Sequence, residues 1–311
     1  MAVNKNGIVV MGAVFVDIKG FPDDVYIPDG RNAGKVEYIH GGVSRNVVED
    51  IANMELRPTF LSIVDESALG DAVVRKLNNH KVNTEYIQSA PNGMGTWLAV
   101  FDNNGDLAGS ISQRPDLMPL LDVLEKKGDE IFANADSIII EVDVDKEIVK
   151  KVVELCEKHQ KKLYGVVSNM SIAVERRDFL QKFDCFICNQ LEAGMFFADD
   201  FSETAPKELA EILAKKLQLA KIPSMVVTMG GVGSVYADMK GKKGFCPAKK
   251  VQVKDTTGAG DAFCAGVSSG LTYGKTLAES VEIGTRLAAS VITSSENVCP
   301  RFLPGELGIE A

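Results

Sequence analysis

The sequence predicts an α/β fold of the doubly wound type, in which a mostly parallel β-sheet is covered by helices on both faces. Short, nearly continuous runs of Ile, Val and other apolar residues recur along the chain, at residues 7–16, 59–64, 137–141, 163–167, 185–188 and 225–228. Between these runs lie segments with the apolar periodicity of amphipathic helices. Strands without polar alternation are typical of parallel sheets that are buried on both faces.

The helices between these strands are recognisable by their apolar faces. After the strand at 59–64, Leu69, Val73 and Leu77 recur at helical spacing. After the strand at 137–141, Asp145 is placed to cap a helix whose apolar face extends from Ile148 to Cys156.

The length of 311 residues allows two domains or one large α/β domain. No repeat, low-complexity tract or Pro/Gly/Ser-rich linker divides the chain, so we expect one domain over residues 1–311.

The charge balance argues against a protein that binds nucleic acid or an anionic membrane by bulk electrostatics. Lys and Arg number 34 and Asp and Glu number 43, giving a net charge of -9. No apolar stretch approaches the roughly 20 residues of a membrane span. The run at 7–16 continues into Asp17 and Lys19 without a small-residue cleavage site, so we interpret it as a buried strand rather than a signal peptide.

The six cysteines are few for this length, which favours reduced thiols and a cytoplasmic protein. Cys185 and Cys188 form a CxxC, so a thiol redox or zinc protein is a rival hypothesis. The pair lies in an apolar run, no second CxxC follows, and the three histidines are far apart. Buried thiols are the simpler interpretation, and the rival requires exposed sulfurs.

Two parts of the chain depart from the parallel-sheet pattern and predict a small antiparallel sheet. Residues 96–101 and 107–112 flank a strong hairpin turn at 102–106. Residues 34–39 alternate apolar and polar side chains, and residues 15–20 extend the group. Such a projection is a candidate lid over a site, or a dimer surface, formed by segments of about 13–40 and 95–113.

The most specific motif is DTTGAGDAF at 255–263, which follows the strand-like segment 250–254. Gly258 and Gly260 at a helix start let backbone N–H groups converge on an anion, which the helix dipole also favours. Asp261 then places a carboxylate beside that point. An anion cradle next to a base suits phosphoryl transfer to a hydroxyl. The alternative is a Gly-rich turn with Asp261 as an ordinary helix cap.

Three further segments place polar residues after strands or at helix starts. GGVSRN at 41–46 opens a helix through Met54, and Asn46 offers both a donor and an acceptor to hydroxyls. Residues 189–192 and 228–233 follow strands, as ligand sites at the carboxyl edge of a sheet do. The segment 41–46 could also be a plain capped helix start. The segment 270–276 resembles a P-loop but is one residue short of it. No GxGxxG motif occurs in the sequence, which disfavours a Rossmann fold.

Taken together, GGxxxN, NxxE, Thr-x-Gly-Gly and DTTGAGD, in this order, resemble the ribokinase/pfkB family of carbohydrate kinases over nearly the full chain. The resemblance implies a ribokinase-like three-layer sandwich with a small β-sheet lid, and an ATP-dependent kinase. It also implies Mg²⁺, possible use of K⁺, and no nucleic-acid or membrane partner.

By position in those motifs, the resemblance implies a role for each matching residue. Asp261 would be the base, with Gly258, Ala259 and Gly260 forming the anion hole. The sugar would be bound by Asp17, Gly42, Asn46 and, as a weaker candidate, Glu141. The nucleotide would lie against Asn189, Thr228, Gly230, Gly233 and Asn297. Metal ions would be organised by Glu192 for Mg²⁺, and by Asp255 and Thr257 for a monovalent cation.

The resemblance implies that the acceptor is a primary, 5′-type hydroxyl of a sugar or ribonucleoside. GGVSRN and the strand around Trp97 are similar to the pseudouridine kinase branch of the family, with Ser44 where a third glycine is usual. Arg45 points to a nucleoside or is a solvated helix-start arginine. A hexose or fructose kinase and a catalytically silent sugar- or nucleotide-binding protein are the alternatives, and a homodimer could form through the lid.

Overall fold

The computed structural model describes residues 6–310, with Arg176 described only in its backbone. The strands are β1 (Gly7–Met11), β2 (Phe15–Pro22), β3 (Gly34–Gly41), β4 (Thr59–Val64), β5 (Ile87–Ser89), β6 (Gly95–Phe101), β7 (Leu107–Gln113), β8 (Ala135–Glu141), β9 (Leu163–Val166), β10 (Cys185–Asn189), β11 (Ser224–Thr228), β12 (Gly233–Asp238) and β13 (Lys243–Pro247). The α-helices are α1 (Val43–Asn53), α2 (Ala68–Asn79), α3 (Pro119–Ala133), α4 (Lys146–His159), α5 (Met170–Ala173), α6 (Arg177–Leu180), α7 (Gln190–Phe197), α8 (Pro206–Ala220), α9 (Ala259–Thr272) and α10 (Leu277–Val291).

The described residues form a nine-stranded central sheet in the order β13-β12-β11-β10-β9-β8-β1-β4-β5. Strand β12 runs antiparallel to both of its neighbours, and the other adjacent pairs are parallel. The chain goes from β1 to β4 on one side and returns to β8 on the other. This reversal opens a crevice at the carboxyl ends of β1 and β8, where ligands bind in such sheets.

Helices cover the sheet on both faces, which confirms the predicted three layers. Val9 and Met11 of β1 pack in a core with residues of α3, α4, α7 and α8. Ile8 and Val10 point the other way, into a core with residues of α1, α2, α9 and α10. Burial on both sides explains why the strands lack polar alternation.

A separate four-stranded sheet has the order β3-β2-β6-β7. The hairpin β6–β7 and the pair β2–β3 are antiparallel as predicted, but β2 and β6 are parallel, so the prediction of a fully antiparallel sheet is wrong. Because β2 and β6 are far apart in sequence, no hairpin turn fixes their relative direction.

Four local expectations are corrected by the structure. The run 7–16 is divided between the two sheets, with β1 ending at Met11 and β2 beginning at Phe15. Residues 250–254 are not a strand; they leave the central sheet, and the N–H of Lys254 bonds the carbonyl of Ile292 at 2.8 Å. Leu69 is 37% exposed, since positions four apart drift around a helix. Asp145 occupies the N-cap of α4 without a side-chain cap bond.

Within the described residues, no helix is both long and apolar enough to cross a membrane.

Candidate active site

The segment before α9 forms an open backbone corner. Gly258 is the N-cap of α9 with φ +80°, and a Cβ there would collide with the carbonyl of Asn297. The glycine is therefore required by both conformation and space. At Gly260, by contrast, a Cβ would meet nothing within 4 Å. The space outside the first turn of α9 is therefore open at Gly260, as an anion cradle requires, while the N–H of Ala259 donates to the carbonyl of Thr256 at 3.2 Å.

Asp261 and Asn46 are in direct contact across this corner. Asn46 lies in the first turn of α1, which begins after Gly42, and its Nδ2 donates to Oδ2 of Asp261 at 2.6 Å. Burial raises the pKa of Asp261 to about 7, while the Asn46 hydrogen bond and the charge of Arg45 oppose the rise. A carboxylate with a pKa near neutrality is well matched to general-base work.

One face of the small sheet is directed towards this corner. Asp17 on β2 lies opposite Trp97 on β6, and Lys19 is two residues further along the same face. The Lys19 ammonium contributes to lowering the pKa of Asp255, after the backbone and side-chain hydrogen bonds of Thr257. Burial raises the pKa of Asp17 against the charges of Lys19 and Arg45. Because side chains alternate between the two faces of a strand, the sequence of β2 could have placed Lys19 on the same face as Asp17.

Glu141 is at the carboxyl end of β8, in the crevice beside β1. Its Oε2 accepts bonds from the N–H of Ala13 at 3.0 Å and from Oγ of Ser44 at 2.8 Å. Burial, then the neighbouring Asp143 charge, raises the pKa of Glu141 to about 7. Ser44 precedes Asn46 on α1, so Glu141 is tied to the cluster of predicted acceptor-binding residues. From the sequence, Ser44 is only a replaced glycine, and no motif predicts its contact with Glu141.

A second opening, a cleft of about 960 Å³, lies where β10 and β11 end. Asn189, Thr228 and Gly230 line it, which places three of the predicted nucleotide-binding residues together. A Cβ at Gly230 or Gly231 would meet nothing within 4 Å, so the backbone there is open to a ligand.

Comparison with known families identifies the family of this chain. The profile of the pfkB family carbohydrate kinases matches residues 5–299. The chain belongs to the pfkB family.

Relatives of known name cover most of the chain. A guanosine-inosine kinase of Exiguobacterium acetylicum is 35% identical over 94% of this chain and 96% of its own. The pseudouridine kinase of Escherichia coli K12 is 24% identical over 89% of this chain and 87% of its own. The structure of Arabidopsis thaliana ribokinase complexed with ribose and ATP matches with a TM-score of 0.84 at 19% identity, covering 97% and 98% of the two chains. The protein is an ATP-dependent carbohydrate or nucleoside kinase with a ribokinase-like fold.

The other motif residues of this pfkB protein have structural partners of their own. Asn189 and Glu192 form a capping box, in which each side chain accepts the backbone N–H of the other, at 2.8 and 2.7 Å. Burial raises the pKa of Glu192. Gly233 begins β12 with φ +134°, and a Cβ there would collide with the carbonyl of Cys246.

The loop before α9 is held by its own side chains. Oδ1 of Asp255 accepts bonds from the N–H and the hydroxyl of Thr257, at 2.9 and 2.8 Å. Nδ2 of Asn297 donates to the carbonyl of His40 at 3.0 Å. Between residues 6 and 310, no cluster of three or more His, Cys, Asp or Glu residues could hold a metal ion.

Arg45 is fully buried, so the expectation of a solvated arginine is wrong. Its Nη1 is 2.5 Å from Oε2 of Glu49, Nε donates to the carbonyl of Gly41 at 3.3 Å, and Nη2 bonds the carbonyl of His40. The only sequence signal for this is the four-residue spacing of Arg45 and Glu49 on α1.

Cys185 and Cys188 are 0% and 5% exposed. Burial raises the pKa of both thiols, that of Cys185 to about 12, so neither is a reactive thiolate. The thiol redox or zinc hypothesis required exposed sulfurs and is wrong.

Proposed function

We propose that this kinase transfers the γ-phosphoryl group of ATP to the 5′-type primary hydroxyl of a ribonucleoside. The observation that carries the proposal is the 2.6 Å bond between Asn46 and Asp261 at the mouth of the open first turn of α9. It joins a polar amide, a base of suitable pKa and an anion cradle at one point.

In this reaction the proton of the acceptor hydroxyl passes to a carboxylate oxygen of Asp261. The acceptor oxygen then forms the new bond to phosphorus, and the bond to ADP breaks. The N–H groups of Gly258, Ala259 and Gly260 stabilise the charge on the transferred group. Asp17, Gly42, Asn46 and Glu141 orient the sugar.

The cleft at the ends of β10 and β11 takes the nucleotide, along Asn189, Thr228, Gly230 and Gly233. The open backbone at Gly230 supports this assignment, because it leaves room for close approach of a phosphate or base. We assign Glu192 to orient waters of Mg²⁺, which would neutralise phosphate charge when bound. Asp255 and Thr257, with backbone near Asn297, would hold a monovalent cation that keeps the α9 loop in place.

A nucleoside is favoured over a free sugar by the relatives, since the kinase named for guanosine and inosine is 35% identical and the pseudouridine kinase is also similar. The small sheet supports this, because the half-buried Trp97 lies opposite Asp17 on the same face, where its ring can cover a base. We further propose that residues 1–311 act as one domain, with segments 13–40 and 95–113 as its lid. The six free cysteines fit a cytoplasmic protein.

A homodimer through the lid has support in its outer strands. Every residue of β7 is exposed, and Ile111 is 69% exposed. An uncovered edge strand with apolar side chains is a surface for pairing with another chain. Light scattering coupled to gel filtration would measure this, with Ile111→Lys expected to yield the monomer.

The function is tested by kcat/KM for inosine, guanosine, pseudouridine, ribose and fructose with ATP, read as ADP release. Nucleosides should be preferred, and a 2′-deoxy analogue should lose up to about 10⁴-fold, because Asp17 and Asn46 would lose a hydroxyl partner. Preference for fructose or another hexose would refute the nucleoside assignment. No turnover of any of these acceptors would also refute it, and undiminished activity of Asp17→Ala would refute the proposed sugar site.

A further inference from the structure

A pocket of about 180 Å³ lies between the end of β8 and the segment that follows β7. Its polar lining includes Arg114, Glu141, Asp143 and Ser168, and Phe15 contributes an aromatic side chain. None of the sequence motifs predicts Arg114 or Asp143.

This pocket adjoins the proposed sugar site through two residues. Glu141 lines it and also accepts the hydroxyl of Ser44, two residues before Asn46. Phe15 lines it and precedes Asp17 by two positions on β2. A group attached to a bound sugar therefore has this pocket as the neighbouring enclosed space.

The pocket places a donor beside an acceptor. Nη2 of Arg114 donates to the carbonyl of Asp143 at 2.9 Å and is 3.5 Å from its Oδ2. The side chain of Asp143 is 1% exposed, and its Oδ1 accepts the N–H of Ser168 at 2.9 Å. The Arg114 side chain is 46% exposed, and a guanidinium has five N–H donors and no acceptor.

A cyclic amide, or lactam, presents the complementary pair: a C=O that accepts and an adjacent N–H that donates. Hypoxanthine, guanine, uracil and its C-glycosidic isomer all carry this edge. Adenine and cytosine carry the reverse, an amino donor next to a ring-nitrogen acceptor, which would set donor against donor at Arg114 and acceptor against acceptor at Asp143.

We infer that Arg114 and Asp143 determine base specificity, with Arg114 donating to the lactam oxygen and Asp143 accepting from the lactam N–H. The apolar walls formed by Phe15, Pro115 and Leu117 would pack against the flat ring. This inference rests on the proposed nucleoside kinase function and adds the class of base.

The first test compares acceptors that differ only at this edge. Inosine should exceed adenosine, and uridine should exceed cytidine, by at least about 10²-fold in kcat/KM, since a mismatched base leaves buried polar groups unpaired. Comparing kcat/KM for inosine with that for pseudouridine then shows whether the pocket takes a purine or a pyrimidine. Either result supports the lactam assignment. Equal use of inosine and adenosine overturns it while leaving the nucleoside kinase intact. Activity on ribose or fructose alone overturns both.

The second test uses variants of the pair. Arg114→Met should lower kcat/KM for inosine by about 10–100-fold, the usual loss for a hydrogen bond to a charged group, and leave ribose turnover unchanged. Asp143→Asn keeps the Ser168 bond and introduces a donor, so the inosine-to-adenosine ratio should fall at least about 10-fold.

Matched controls are Arg75→Met and Asp122→Asn, which change exposed residues on α2 and α3. Both should retain the wild-type ratio, and circular dichroism checks that every variant is folded. If Arg114→Met lowers inosine, adenosine and ribose turnover equally, the residue only positions the small sheet and the inference is wrong.

Discussion

Nδ2 of Asn46 donates a 2.6 Å hydrogen bond to Oδ2 of Asp261, although the two residues are 215 positions apart. The bond joins the first turns of α1 and α9, so one packing contact between helices sets the geometry of the candidate base. It also explains why Asp261 is not an ordinary helix cap: its carboxylate is directed at α1.

Replacing Asp261 by Asn should lower kcat by about 10²–10⁴-fold, the usual range for loss of a general base. The dissociation constant of ATP should change little, because the carboxylate faces the acceptor. Steady-state kinetics and calorimetry measure the two quantities, with Asp122→Asn as the control. Near wild-type turnover would show that the base lies elsewhere.

The pKa of Asp261 predicts an acid limb in the pH dependence of kcat/KM. The base works only when deprotonated, so activity should fall about tenfold per pH unit below about pH 7. Asn46→Ala removes a hydrogen bond that favours the charged form, so the limb should move to higher pH.

Glu141 also has a pKa of about 7, and the pH experiment must separate the two carboxyls. Glu141→Gln should retain the acid limb at its wild-type position, because Glu141 is not the proposed base. Disappearance of the limb in Glu141→Gln, with no shift in Asn46→Ala, would assign it to Glu141.

Gly260→Val should abolish phosphoryl transfer while the protein stays folded. The space at Gly260 is empty, so the isopropyl group fits there and occupies the position proposed for the transferred group. Gly305→Val is the matched control, since a Cβ at Gly305 also meets nothing within 4 Å. Thermal unfolding and ADP release measure the two effects, and an active Gly260→Val would place the phosphate elsewhere.

The parts of the site that could be predicted from the sequence are those attached to strand ends and helix starts. Glu141, Asn189 and Thr228 end parallel strands, so their common edge follows from the strand pattern. The contact of Asn46 with Asp261 could not be derived this way, because it depends on how two distant helices pack.

Burial of charged groups was the main property that the sequence did not reveal. Arginine is usually found at the protein surface, yet Arg45 is buried. Its burial is tolerated because two backbone carbonyls and the Glu49 carboxylate accept hydrogen bonds from its guanidinium. Arg114 follows an exposed strand and belongs to no motif, and only the fold brings it to Asp143.

Activity should require Mg²⁺ and should be higher in K⁺ than in Na⁺. The Asp255–Thr257 bonds fix the loop before Gly258, and a cation bound there would hold its N–H groups inward. Rates are compared at constant ionic strength in potassium and sodium buffers, and with EDTA for the divalent ion. Identical rates with the two monovalent cations would contradict the potassium part.

Arg45→Met should destabilise the protein strongly. Burial alone would raise the pKa of Glu49, but the charges of Arg45 and Lys76 outweigh the effect of burial and lower the pKa. The buried Glu49 carboxylate therefore depends on these two cations. Removing one partner of a buried pair typically costs about 3–5 kcal/mol in the free energy of unfolding. The double variant Arg45→Met/Glu49→Leu removes both charges and should recover much of the loss, because apolar groups of similar size tolerate burial.

Urea denaturation measures the stability of each variant. Lys81→Met, which breaks an exposed ion pair with Glu55, is the control and should leave the midpoint almost unchanged. If the double variant is no more stable than Arg45→Met, the guanidinium stabilises the fold through the carbonyls of His40 and Gly41 rather than through Glu49.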